Sequence, residues 1–273
     1  MTVYVLGALN VDLVTRVPHH PAPGETILGQ SDGRFAGGKG GNQAMAAARA
    51  GADVVMVGCV GDDELGWAYI TRLEDARINP EQVETALSKP TGTALITLSE
   101  DGENSIIVVP AANEDATAPT GVAGGDVLLC SLEVPLDVVA TAARAAHTAG
   151  ARVVLNLAPY ADLPADVIAT ADPVIVNETE AAQLQSAGLR PASVVTTLGS
   201  QGATWTRDSG EVAREPGIDV RRVVDSTGAG DTFCGALAAS LARGASDEEA
   251  LRAANAAGAE AVSWQGAQPD GAI

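Results

Sequence analysis

The chain has 273 residues, 46% hydrophobic but only 3% aromatic, so a sizeable core has to be filled by Ala, Val and Leu. Its 16 Lys and Arg stand against 35 Asp and Glu, a formal net charge of −19 that argues against nucleic acid or an anionic membrane surface as partner. No apolar run reaches membrane-spanning length, Cys59, Cys130 and Cys234 are isolated and odd in number, and His19, His20 and His147 lack metal-site spacing, so a cytoplasmic protein without disulfides or a zinc cluster is expected.

Val3 to Leu6 reads as a short buried strand running into Gly7-Ala8-Leu9-Asn10-Val11-Asp12. Ligands of open parallel sheets collect beyond the carboxyl ends of the strands. Asn10 and Asp12 would stand there with an amide and a carboxylate for a polyhydroxylated ligand, although Asp12 could equally cap a turn. From Leu13 to Phe35 short β-prone pieces are broken by Pro18, Pro21, Pro23 and Gly24, which suggests a small sheet set apart from the main fold. Gly92 to Leu98, the turn Glu100-Asp101-Gly102-Glu103 and Ser105 to Val109 read as a second piece of the same lid or clasp. The expected organisation is therefore one α/β domain of residues 1–12, 36–91 and 110–273, with 13–35 and 92–109 forming a β lid.

Phe35 to Gln43 holds four glycines around Lys39 and precedes a helix expected over Ala44 to Ala50, then a strand over Val54 to Val57. Such a loop brings backbone close to a ligand. It is no Walker A motif, because Gly40 rather than Ser or Thr follows Lys39. Asp62-Asp63-Glu64 caps the next helix. Strands at Val127 to Cys130 and Val153 to Asn156 flank a helix from Leu136 to Ala149, and this alternation predicts a doubly wound, mostly parallel sheet with helices on both faces. Glu133 lies just past the first of these strands. Val174 to Val176 leads into Asn177-Glu178-Thr179-Glu180, which suits either a water-held Mg²⁺–phosphate complex or helix capping. A strand from Val194 to Leu198 precedes the turn Gly199-Ser200-Gln201-Gly202. An Ala-rich helix from Asp247 to about Ser263 carries Asn255.

Between these, Val223 and Val224 end an extended run, and Asp225-Ser226-Thr227-Gly228-Ala229-Gly230-Asp231 opens a helix expected to start at Thr232. A Gly-rich turn at a helix N-terminus aims free N–H groups and the positive dipole end at one point, as an anion requires. Asp231 repels an anion there unless it has a task of its own. Taking a proton from an attacking hydroxyl is such a task. An ordinary N-cap is the alternative.

Gly37-Gly38-Lys39-Gly40-Gly41-Asn42-Gln43-Ala44 and Asp225 to Phe233, with Asn177-Glu178-Thr179-Glu180 and Thr197 to Gly202 between them, resemble the ribokinase-like (PfkB-type) family of carbohydrate kinases. The resemblance runs from Val3 to Pro269. It implies ATP-dependent phosphorylation of a pentose hydroxyl, most simply D-ribose; another sugar, deoxyribose or a nucleoside, or a non-catalytic sugar-binding regulator on the same fold, are the alternatives. Carried over by position, Asp231 is the base and Gly228, Ala229 and Gly230 the anion hole. Asn10, Asp12, Gly38, Lys39, Gly40, Gly41, Asn42 and Glu133 contact the sugar. Asn177, Thr197, Leu198, Gly199, Ser200, Gln201, Gly202, Gly230 and Asn255 line the ATP site, and Glu180 places Mg²⁺ through water. Asp225, Thr227, Ala261, Trp264, Gly266 and Asp270 would surround a monovalent cation, K⁺. The resemblance also implies a homodimer formed through the lid. No Gly-x-Gly-x-x-Gly follows the first strand, which excludes a dinucleotide-binding dehydrogenase.

Overall fold

Thirteen strands and seven α-helices make up the computed structural model, which describes residues 1–273. In chain order the strands are β1 (Thr2–Leu6), β2 (Asn10–Val17), β3 (Gln30–Gly37), β4 (Asp53–Gly61), β5 (Asn79–Ala86), β6 (Gly92–Ser99) and β7 (Asn104–Val109). There follow β8 (Val127–Cys130), β9 (Arg152–Asn156), β10 (Ala171–Asn177), β11 (Ser193–Thr197), β12 (Gly202–Arg207) and β13 (Gly210–Pro216). The helices are α1 (Lys39–Arg49), α2 (Glu64–Asp75), α3 (Leu136–Thr148), α4 (Ala165–Ile168), α5 (Glu178–Ser186), α6 (Ala229–Ala242) and α7 (Asp247–Ala261).

Nine strands form one sheet in the order β13-β12-β11-β10-β9-β8-β1-β4-β5, parallel throughout except for the antiparallel edge β11-β12-β13. Its central strands are apolar on both faces, as a parallel sheet between helix layers demands. Leu129, Val154 and Ile175 face the core built with α1, α2, α6 and α7, whereas Leu128, Val153 and Val174 face the core built with α3, α4 and α5. Each such fully buried Val or Leu stabilises the fold by about 1.5–3 kcal/mol. With so few aromatics, α6 packs through Ala and Gly: Gly235 lies against Ala46 and Ala47 of α1. The chain builds outward from β1 to β4 and β5 on one side, then to β8, β9 and β10 on the other, so the carboxyl ends of β1 and β8 bracket the switch point where ligands enter.

β2, β3, β6 and β7 form a separate four-stranded sheet ordered β3-β2-β6-β7. No helix is long and apolar enough to cross a membrane.

Three local expectations are corrected. The Gly-rich segment is not a loop before Ala44, because α1 already begins at Lys39. A Cβ on Gly40 would collide with the backbone of Gly7, and one on Gly41 with the Tyr69 hydroxyl, so the glycines let α1 seat against the sheet. Helix α6 begins at Ala229 rather than Thr232, which puts Asp231 in its first turn. Val223 and Val224 are 63% and 47% exposed and belong to no strand; the only backbone tie nearby runs from the Val224 and Asp225 N–H groups to the Val262 carbonyl.

Candidate active site

Asp231 is 6% exposed, and each of its oxygens accepts a neutral amide donor from α1: Oδ2 from Asn42 Nδ2 at 2.9 Å, Oδ1 from Gln43 Nε2 at 3.0 Å. Just ahead of it, Gly228 caps α6 with φ +74°, a left-handed conformation that an L side chain adopts at a cost of about 1–2 kcal/mol. A Cβ there would also stand 2.6 Å from the Cα of Ala267. Ala229 and Gly230 are the first two residues of the helix, so their N–H groups have no partner within it; the Ala229 N–H makes a 3.3 Å turn bond to the Ser226 carbonyl, and the Gly230 N–H has no backbone partner.

Lys39, first in α1, lies between this carboxylate and that of Glu133. Asp231 holds its ammonium above the usual range, against the opposing effect of burial, with Glu133 and Glu180 adding to the rise. Glu133 accepts the Lys39 N–H at 2.8 Å, and burial pushes its carboxyl up although the Lys39 contacts pull it back. Asp12 is pushed up to about 7, first by burial and then by the Glu133 charge. Acids kept partly desolvated in a cleft mark it as a candidate site for a polar ligand. Asn10 and Asp12 do not stand free beyond β1, since β2 starts at Asn10 and carries both into the small sheet. A cavity of about 610 Å³ opens beside Asn10 and Glu133, beneath Val108 and Pro110.

A second cavity, about 730 Å³, opens at the N-terminus of α6. Thr197, Gly199, Ser200, Gly202, Gly230 and Asn255 line it together with Ser226, Ala229, Phe233 and, from the irregular segment after β13, residues 217–220 and 223. Asn255 donates to the Pro216 carbonyl at 2.9 Å. Leu198, Gln201 and Asn177 do not line this cavity, although Asn177 pairs in register with Thr197. Asn177 and Glu180 form a reciprocal capping box on α5, each side chain accepting the other's backbone N–H. Glu180 Oε1 takes no part in that box. No group of three or more His, Cys, Asp or Glu side chains is clustered to hold a metal directly. All three cysteines are free and buried.

Asp225 ties its own turn to the segment after α7: Oδ1 accepts the Thr227 N–H and Oδ2 the Gly266 N–H, both at 2.9 Å. Partial burial raises the Asp225 carboxyl, but these amide bonds outweigh it and hold the group below its ordinary value, as an anion. The segments around Thr227, Ala261, Trp264 and Gly266 are thereby drawn together. Asp270 is exposed, and its carbonyl is taken by Arg72 Nη1 at 2.8 Å.

Of five further residues in this arrangement, Gln43 lies within the glycine-rich motif and the other four carry no motif that would announce them. Gln43 holds Asp231; Asn113, 1% exposed, donates to Asn10 Oδ1 at 2.8 Å and accepts the Leu9 N–H at 2.8 Å. Gln268, Tyr69 and Arg72 stand behind Asn42.

Comparison with known proteins agrees with this geometry. The model of the pfkB family carbohydrate kinases matches residues 2–272. The chain is 39% identical to the ribokinase of Bacillus subtilis, over 97% of this chain and 94% of that one, and 36% identical to the ribokinase of Schizosaccharomyces pombe, over 98% and 93%. The structure of Arabidopsis thaliana ribokinase complexed with ribose and ATP superposes with a TM-score of 0.87 at 30% identity, covering 97% of this chain and 93% of that one. Signature, topology and the cleft at the α6 N-terminus converge: this chain belongs to the pfkB family of carbohydrate kinases, enzymes that transfer phosphate to a sugar hydroxyl.

Proposed function

We propose that this protein transfers the γ-phosphate of ATP to a pentose hydroxyl, converting D-ribose to ribose 5-phosphate. The observation that carries the reading is the buried Asp231 carboxylate, held by two amides in the first turn of the helix whose open N-terminus faces a nucleotide-sized cavity. Asp231 takes the proton of the attacking hydroxyl, and the N–H groups of Gly228, Ala229 and Gly230 receive the charge that builds on the transferring group. Asn10, Asp12, Glu133 and the start of α1, Gly38 to Asn42, hold the sugar. Lys39 balances the surrounding carboxylates. Relatives named ribokinase, and one solved with ribose and ATP, support the choice of sugar and nucleotide.

Thr197, Gly199, Ser200, Gly202 and Asn255 receive the nucleotide, while Leu198, Gln201 and Asn177 support that site from behind. Mg²⁺ suits the triphosphate held through water, with the unengaged oxygen of Glu180 beside it. A monovalent cation, K⁺, suits the anionic Asp225 with the backbone of Thr227, Ala261, Trp264 and Gly266; the exposed Asp270 side chain belongs to its margin. The small sheet, within residues 10–37 and 92–109, acts as the lid of a catalytic body made by the rest of the chain. Leu95, Ile106, Ile107 and Val108 leave that sheet 43–61% exposed with apolar side chains, which suits a homodimer formed lid against lid in the cytoplasm.

The test is ADP release from Mg-ATP with K⁺, Na⁺ or Li⁺ across ribose, deoxyribose, fructose and several nucleosides. Turnover with ribose, strongest with K⁺, is expected. A preferred nucleoside would overturn the substrate, and sugar binding without turnover would overturn the catalytic reading in favour of a binding protein.

A further inference from the structure

The two Asp231 oxygens are occupied by amide N–H groups, and the Asn42 side chain meets this requirement in only one of its two orientations. An Asn amide turned over places its oxygen where its nitrogen stood at almost no change in shape. What selects the productive orientation lies behind it. Gln268 Nε2 donates to Asn42 Oδ1 at 2.9 Å, so the Asn42 oxygen is engaged and its NH₂ is left for Asp231. Gln268 could itself be turned over, but Arg72 Nε donates to its Oε1 at 3.0 Å, and a guanidinium has no acceptor to offer. Tyr69 reinforces the same sense. Its hydroxyl donates to the Gly37 carbonyl at 2.7 Å, which leaves a lone pair to accept from Gln268 Nε2 at 3.3 Å. Arg72 is fixed in turn by the carbonyls of Asp270 at 2.8 Å and Pro269 at 3.3 Å.

We propose that Gln268, oriented by Arg72 and Tyr69, is a positioning residue for the base: it sets the polarity of the Asn42 amide and so keeps an N–H donor, never a carbonyl, against Asp231. Every link from Tyr69 to Asp231 is buried, with Gln268 3% and Asn42 7% exposed, so no water stands in for a lost donor. The donor direction runs one way, from the Arg72 guanidinium through Gln268 and Asn42 to the carboxylate. The inference rests on the assignment of Asp231 as base.

The discriminating variant is Gln268→Glu. It keeps the side-chain shape and strengthens the pairing with Arg72, but offers Asn42 an acceptor. Asn42 then turns its NH₂ toward Glu and its carbonyl toward Asp231. Expected are a melting temperature at or above wild type, kcat lowered at least tenfold, and a KM for ATP within twofold. Gln268→Leu, which loosens the core but leaves Asn42 free to choose, is expected to melt lower and yet turn over faster than Gln268→Glu. Arg72→Lys retains a donor and keeps kcat, whereas Arg72→Met loses it. A kcat that merely follows melting temperature across the four variants, or Gln268→Glu within twofold of wild type, would overturn the relay. Side-chain amide exchange measured by ¹⁵N NMR probes the same geometry without turnover. The Asn42 and Gln268 NH₂ protons should exchange slowly in the wild type, and Asn42 should lose that protection in Gln268→Glu; exchange as fast as that of the exposed Gln201 would sink the proposal. Absence of turnover in the wild type refutes the kinase reading instead, and the exchange experiment still decides the relay.

Discussion

Asp12→Asn separates what the sugar cleft does for binding from what it costs the fold. Burial, and then the Glu133 carboxylate, push the Asp12 carboxyl up from 3.8 to about 7. The sign of the linkage follows from that direction. Below pH 3.8 folded and unfolded chains both carry the proton. Between 3.8 and about 7 the unfolded chain has released it and the folded chain retains it, so stability falls as pH rises. Above about 7 the full penalty stays. At about 1.4 kcal/mol per pH unit the ceiling is about 4 kcal/mol, and access of solvent to the half-buried side chain reduces it to about 2 kcal/mol. Asn carries no charge at any pH and escapes the penalty. Thermal unfolding monitored near pH 8 should therefore show Asp12→Asn melting above wild type by about 4–8 °C, at about 2–4 °C per kcal/mol. Near pH 4 the two should coincide. Sugar binding should move the other way: losing a charged acceptor worth about 1.5–3 kcal/mol raises the sugar KM about 10-fold or more. An equal melting difference at both pH values, or none near pH 8, would refute the account of Asp12 as a carboxylate held against its hydration.

The remaining predictions concern the base, its helix and the small sheet. Asp231→Asn should lower kcat by about 10²-fold or more with sugar and nucleotide dissociation constants nearly unchanged, measured by quenched-flow and calorimetry; ordinary turnover would remove Asp231 from the role. Gly228→Ala combines left-handed strain of about 1–2 kcal/mol with a clash against Ala267, so both melting temperature and kcat should fall; an unchanged kcat would mean the turn does not shape the anion site. Ile107→Asp, at a side chain 61% exposed, should convert the proposed dimer to monomer in analytical ultracentrifugation, and a wild type already monomeric would end that proposal.

Much of the fold was legible because its signals are local. Val127 to Cys130 is apolar on both faces and bounded by turns, and a strand is the only short element such a run supports. Asp63 was readable as a cap from position alone, and its side chain does accept the Gly66 N–H at 2.9 Å. The Gly-rich start of α1 misled because helix propensity registers only the entropy of glycine, whereas the close approach to Gly7 and Tyr69 decides the conformation. Val223 and Val224 misled in the opposite sense: β propensity without a partner strand makes no ladder. Asn42 and Gly228 could be read as site residues because they sit within motifs. Asn113 and Gln268 lie in no motif, and their contacts join residues 104 and 226 positions apart; Gln43 shares the motif of Asn42, but nothing local shows that it reaches Asp231, 188 positions away. Nothing in the composition around Gln268 distinguishes it from a solvated glutamine.

The contact of α1 with α6 has a mechanical consequence. Asn42 and Gln43 ride on one helix and Asp231 on the other, and Gly235 against Ala46 and Ala47 leaves no slack between them. Base and holders thus form one rigid block anchored to the main sheet. The small sheet joins that sheet through four backbone crossings, at Gly7 to Leu9, Gly37 to Gly38, Pro90 to Thr91 and Pro110. Any displacement of the small sheet has to bend those four stems, like a leaf at its petioles, and to work against the bonds that tie β3 to the C-terminal segment, Ala36 N–H to the Gly271 carbonyl at 2.7 Å and Ile273 N–H to the Arg34 carbonyl at 3.1 Å, while the block around the carboxylate is left intact. A sugar can enter or leave without the base having to be reassembled on each turnover.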